Sequence, residues 1–130
     1  MLEYRLKNVL GEIPRIHAEM EELPLPPKTV FNLNLILDEL LTNTISYGYP
    51  QGGSHEILLR LSLENEQLDI ELVDDAIPFN PLDAPEPDFS LPIEDRRVGG
   101  LGVFLVRKLS SEVRYELRGG MNHLYIRMKT

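Results

Sequence analysis

Two runs of alternating apolar residues, set back to back around a two-residue turn, constrain this chain most. Ile57, Leu59, Leu61 and Leu63 alternate with Glu56, Arg60, Ser62 and Glu64. After Asn65-Glu66, Leu68, Ile70 and Leu72 alternate with Asp69, Glu71 and Val73. Successive side chains of a strand point to opposite faces, so the pattern predicts an antiparallel hairpin with one face on a core. Val113, Tyr115 and Leu117 predict a second hairpin, turning at Gly119-Gly120 into Leu124, Ile126 and Met128. Leu2, Tyr4 and Leu6, alternating with Glu3, Arg5 and Lys7, predict a first strand. A sheet with one apolar face needs a second layer to cover it.

Three helices are predicted to form that layer. Ile13, Ile16, Met20 and Leu23 fall at helical spacing over 12–23, with Pro14 tolerated in the first turn and Pro24, Pro26 and Pro27 as the stop. A second helix follows from Pro27 or Lys28 to Tyr47, closed by Gly48 and Pro50. In it Val30, Leu33, Ile36, Leu37, Leu40, Leu41 and Ile45 sweep out one broad apolar arc at helical periodicity. The third carries Val103, Phe104, Leu105, Val106 and Leu109. The order β-α-α-β-β-loop-α-β-β predicts an α+β chain, a two-layer α/β sandwich. Its sheet is mainly antiparallel, with helices on one face, in a single domain over 1–130.

Composition narrows the function. A net charge of −8 argues against nucleic-acid binding, which needs Lys and Arg to neutralise phosphates. It leaves room for a nucleotide whose phosphates are held by backbone N–H groups and a cation. The absence of cysteine removes disulfides, thiolate metal sites and thiol nucleophiles. No apolar run is long enough to span a bilayer, and the Met1-Leu2-Glu3-Tyr4-Arg5 start does not read as a signal peptide, so a cytoplasmic address is expected.

Three places carry polar groups in suggestive positions. Glu39 and Asn43, four residues apart, stack on the edge of the second helix's apolar arc. They read either as a solvated helix edge or as a base and a metal ligand facing a cleft. Asp74 takes the next inward position of its strand, where a carboxylate needs a partner, unless the strand has already ended in a turn. Gly99-Gly100-Leu101-Gly102 opens the third helix, either as a tight turn or as a cradle of free N–H groups for phosphate. Between the last two, about 76–98 is proline-rich and acidic, the composition of a lid or a linker.

In this order, Glu39-x-x-x-Asn43, Asp74-Asp75-Ala76-Ile77-Pro78-Phe79 and the glycine cluster resemble the three nucleotide-binding boxes of the GHKL ATPases, the superfamily of histidine-kinase and Hsp90 ATP-binding domains. The Asp-Asp-x-x-Pro-Phe form and Val98-Gly99-Gly100-Leu101-Gly102-Val103 are most similar to one branch, the bacterial anti-sigma regulatory factors. The resemblance implies the Bergerat-type ATP-binding fold and a protein serine/threonine kinase using ATP and Mg²⁺. It implies two partners, a sigma factor and a STAS-domain anti-anti-sigma protein on which it phosphorylates a serine or threonine, and it makes a homodimer plausible. Neither nucleic acid nor membrane is an implied partner.

Residue by residue, the resemblance makes Asn43 the Mg²⁺ ligand, Glu39 the general base and Asp74 the acceptor of the adenine amino group. Ala76, Pro78 and Phe79 match the first glycine box. Gly99, Gly100, Leu101 and Gly102 match the phosphate turn. At the end of the lid Arg96 or Arg97 is a cation for phosphate or for a partner protein, Arg97 being taken as the candidate site residue. Ala76 departs from the pattern, which has glycine there for close approach or positive φ. That departure keeps an alternative open: a non-catalytic ATP-binding or nucleotide-free interaction module. His17, His55 and His123 form no ligand pattern and are expected to be ordinary surface or core residues.

Overall fold

A computed structural model describes residues 1–83 and 100–130, Leu101 by its backbone alone. Among the described residues the elements are β1 (Leu2–Lys7), α1 (Glu12–Glu21), α2 (Pro27–Tyr47), β2 (Glu56–Glu64), β3 (Gln67–Asp74), α3 (Gly100–Leu109), β4 (Glu112–Arg118) and β5 (Met121–Lys129), with a 3-10 turn at Pro81–Asp83. The strands form one sheet in the order β1-β2-β3-β5-β4, each neighbouring pair antiparallel. Both hairpins turn on left-handed residues, Asn65 and Glu66 at φ 53 and 59 and Gly119 and Gly120 at φ 60 and 76. That backbone matches the twist of the strands it joins.

The alternation sorts as its period requires. Ile57, Leu59, Leu61, Leu68, Ile70, Leu72, Leu124, Ile126 and Met128 are buried with Leu33, Ile36, Leu37, Leu40 and Leu41 of α2. The opposite face of the sheet is laced by ion pairs: Arg60 with Glu3 and Glu71, Arg127 with Asp69 and Glu112. Such exposed pairs contribute little stability each, but they keep a pleated face soluble.

Pro27 starts α2 where its missing N–H costs nothing, and the Gly48 N–H closes the helix on the Thr44 carbonyl at 2.8 Å. The first helix ends at Glu21 rather than at 23, three residues before the proline run that starts at Pro24. Both α1 and α3 pack on α2, which makes α2 the centre of the helical layer. Its exposed edge therefore lies where other elements converge.

Candidate functional site

Glu39 and Asn43 lie partly buried on α2, and the Asn43 Nδ2 donates to Glu39 Oε1 at 3.0 Å. A carboxylate only accepts, so the amide nitrogen must face it. This orientation turns Asn43 Oδ1 away from Glu39, and among the described residues nothing donates to that oxygen. A hard cation takes oxygen ligands and keeps several waters, so a single presented amide oxygen suits Mg²⁺ held mainly by phosphates. Among the described residues no three His, Cys, Asp or Glu side chains form an all-protein metal cage.

Asp74 ends β3 on the inward face and is buried. Its Oδ1 accepts from the Ala76 N–H at 3.1 Å and from Asn122 Nδ2 at 2.9 Å. The partner that its inward parity called for is therefore present without any ligand. The protein supplies two, both on one oxygen, and leaves Oδ2 to accept from elsewhere. Burial pushes the Asp74 carboxyl above the usual carboxylate range, while the bonds from Asn122 and Ala76 pull it back in part.

Asn122 was not legible as a site residue. It stands opposite Asp74 in the β3–β5 register, and its Nδ2 also reaches the carbonyls of Ala76 and Ile77 at 3.0 and 3.3 Å. The Tyr115 hydroxyl donates to its Oδ1, which fixes the amide from the other side. One amide thus ties the carboxylate to the turn that follows it.

Ala76 itself is buried and does not have positive φ, so the backbone there makes no demand for glycine. Close approach is met from the other side: a Cβ on Gly48 would stand 2.7 Å from the Ala76 Cβ. The Ala76 methyl occupies space that Gly48 vacates, and the Ile77 N–H donates to the Gly48 carbonyl at 2.9 Å. Pro78 is exposed, and Ile77 and Phe79 are 50% and 54% exposed, an apolar rim beside Asp74.

Next to this turn His55 takes a structural role that spacing did not suggest. Its Nδ1 lies 2.9 Å from Asp75 Oδ2, and its ring stacks on Tyr49 at 4.6 Å. The His55 bond holds the Asp75 carboxyl below the usual range. Burial raises the Tyr49 phenol, with the charges of Asp74 and Asp75 adding to the effect. The Tyr49 hydroxyl feels Asp75 without closing a hydrogen bond of ordinary geometry.

The glycine cluster opens α3 as expected, but the helix already begins at Gly100, so Gly102 sits inside the first turn. Here α3 meets α2: Gly102 lies directly against the Glu39 carboxylate. Arg107 of α3 donates to the Leu82 carbonyl, tying the helix to the segment after Phe79. Gly99, Arg96 and Arg97, with the rest of the expected lid, lie outside the described residues.

A chain with this sheet order, a carboxylate-amide pair on the covering helix and a buried acid at a strand end has the architecture of an ATP-binding domain. The chain belongs to the histidine kinase-like ATPase domain family, whose model matches residues 6–128. It is 30% identical over 94 residues to the serine/threonine-protein kinase BtrW of Bordetella bronchiseptica, covering 72% of this chain and 66% of the relative. It is 24% identical over 95 residues to the serine-protein kinase RsbW of Bacillus subtilis, covering 69% of this chain and 59% of the relative. The match thus spans about two thirds or less of these relatives' own length.

Among solved structures it is similar to the RsbU and RsbW domains of a Mycobacterium tuberculosis protein, with TM-score 0.63, 11% identity, and coverage of 99% of this chain and 32% of that one. It is also similar to the histidine kinase domain of the Erythrobacter litoralis blue-light activated histidine kinase, with TM-score 0.57, 18% identity, and coverage of 92% and 59%. At these identities the likeness speaks for the fold. Among the described residues no helix is long and apolar enough to cross a membrane.

Proposed function

We propose that this chain binds Mg-ATP along α2 and transfers the terminal phosphoryl group to a serine or threonine of a protein partner. The observation that carries the reading is how α2 spans the site. At its C-terminal end Gly48 touches Ala76, beside Asp74, and nine residues earlier Glu39 touches Gly102. Nine residues of helix separate the two contacts by about 13 Å. Base recognition belongs at the Asp74 end and phosphate chemistry at the Glu39 end, where α3 points its N-terminus.

In this reading Asp74 Oδ2 accepts from the exocyclic amino group of adenine, with Ile77 and Phe79 as apolar cover. Asn43 Oδ1 ligates the metal ion, which neutralises charge on the phosphates when bound. Gly100 and its neighbours in the first turn of α3 offer N–H groups to the phosphates. Glu39 takes the proton of the acceptor hydroxyl as that oxygen attacks the terminal phosphorus and the bond to ADP breaks. The reading also assigns phosphate binding to Gly99 and Arg97, which lie outside the described residues.

The partners in this reading are a sigma factor that the chain sequesters and a STAS-domain protein that it phosphorylates, with a homodimer as the working assembly and the cytoplasm as its place. Kinase names among the relatives and the three boxes support it. Incubation with labelled Mg-ATP and a STAS-domain protein of the same organism tests it: label moves to a serine or threonine, and Glu39→Ala stops the transfer. No binding of ATP at millimolar concentration would end the enzyme reading and leave a nucleotide-free interaction module.

A further inference from the structure

We infer that Gly102 is a positioning residue for the general base: it is glycine so that the Glu39 carboxylate can lodge against the first turn of α3. A side chain at 102 would project into the space that Glu39 fills. A Cβ there would stand 1.9 Å from Glu39 Cδ, 1.9 Å from Oε1 and 2.4 Å from Oε2. No real contact is that short, so any residue larger than glycine displaces the carboxylate.

Backbone conformation does not account for a glycine at this place. Gly102 is helical and is not among the glycines with positive φ, which among the described residues are Gly52, Gly53, Gly119 and Gly120. Within a helix glycine is a poorer choice than alanine, because it loses more backbone freedom on folding. Its presence therefore weakens α3 and calls for a steric cause, and among the described residues the three nearest atoms to its missing side chain, outside its own helix, all belong to Glu39. The carboxylate gains from the arrangement, since it meets the positive end of the α3 dipole.

Glu39 has a flexible stem, so it can swing aside to admit a methyl. Doing so breaks its 3.0 Å bond from Asn43 and removes the carboxylate from the place where it faces the phosphates. The position of the base is thus set jointly by α2 and by the seating of α3, and the helix that follows the glycine cluster reports directly on Glu39. The inference deepens the kinase reading and takes its catalytic meaning from it, but the steric coupling stands on the two helices alone.

A double-substitution cycle read by thermal denaturation without nucleotide tests the coupling. With Glu39 present, Gly102→Ala must push the carboxylate aside, which offsets part or all of the gain of a better helix former. In the Glu39→Ala background that contact is gone and the same change raises the melting temperature by about 3–5 °C. An equal shift in both backgrounds overturns the inference. Should Gly102→Ala alone fail to fold, Glu39→Ala with and without Gly102→Ala still decides, a rise supporting the inference and a fall overturning it.

Because these scans contain no nucleotide, they stand whether or not the protein binds ATP. Calorimetry with Mg-ATP adds the second arm. Gly102→Ala costs more ATP affinity with Glu39 present than in the Glu39→Ala background, because only in the first case does it also push the carboxylate out of place. The same fold-loss in both backgrounds assigns the glycine to phosphate alone and overturns the inference.

Discussion

Asp74 and Asn122 face each other across β3 and β5, and the Asn122 amide donates to the carboxylate at 2.9 Å while also gripping the carbonyls of Ala76 and Ile77. Removing that amide leaves Asp74 Oδ1 with the Ala76 N–H alone and leaves the turn untied. Asn122→Ala is expected to cost about 1–3 kcal/mol of stability, the usual cost of stranding buried polar groups. ATP affinity should fall with it. Chemical denaturation and calorimetry on the same protein check both.

Asp74→Asn separates stability from recognition. Burial raises the Asp74 carboxyl in the folded state, so its ionised form opposes folding at neutral pH. The sign follows from linkage: the group favours folding fully below its unfolded value, near 4, and that contribution is lost as pH rises through the raised folded value. The neutral amide should therefore stabilise the nucleotide-free protein near pH 7 and flatten its stability profile across the mildly acidic range. It should also weaken ATP binding by about 10–100-fold, because an amide N–H replaces the acceptor that faces the adenine amino group. Melting curves from pH 4 to 8, with and without ATP, read both effects.

The Ala76 departure is expected to be harmless, contrary to what the motif pattern suggests. Ala76→Gly restores the usual residue but empties the space over Gly48 and frees the backbone, costing about 0.5–1 kcal/mol. Gly48→Ala forces a methyl onto both Ala76 and the Thr44 carbonyl and should cost about 1–3 kcal/mol. If Ala76→Gly instead strengthens ATP binding tenfold, Ala76 is an impediment to nucleotide and the non-catalytic reading gains.

Glu39→Gln keeps the shape of the side chain and an oxygen for the Asn43 amide, but it loses the base. Phosphotransfer should drop by about 10²–10⁴-fold while ATP affinity is retained. A variant that loses ATP binding along with transfer would place Glu39 in binding rather than in proton transfer. Rapid-quench transfer assays beside equilibrium binding distinguish the two.

Local pattern carried much of this protein. Period-two alternation dictated the hairpins and which face of each strand is apolar, because a strand's side chains have no other way to point. Helical spacing marked α2 and put Glu39 and Asn43 on one edge, and inward parity marked Asp74 as an acid in need of a partner. What the sequence could not contain was the identity of its neighbours. Asn122 becomes Asp74's partner only through the β3–β5 pairing, across 48 residues and past the whole of α3 and β4. Gly48 makes room for Ala76, and Gly102 for Glu39, only because α2 is packed against the β3 turn at one end and α3 on its flank. Backbone geometry is a local property and can be read along the chain. Contact distances between distant segments depend on how the layers settle, and tertiary packing alone decides them.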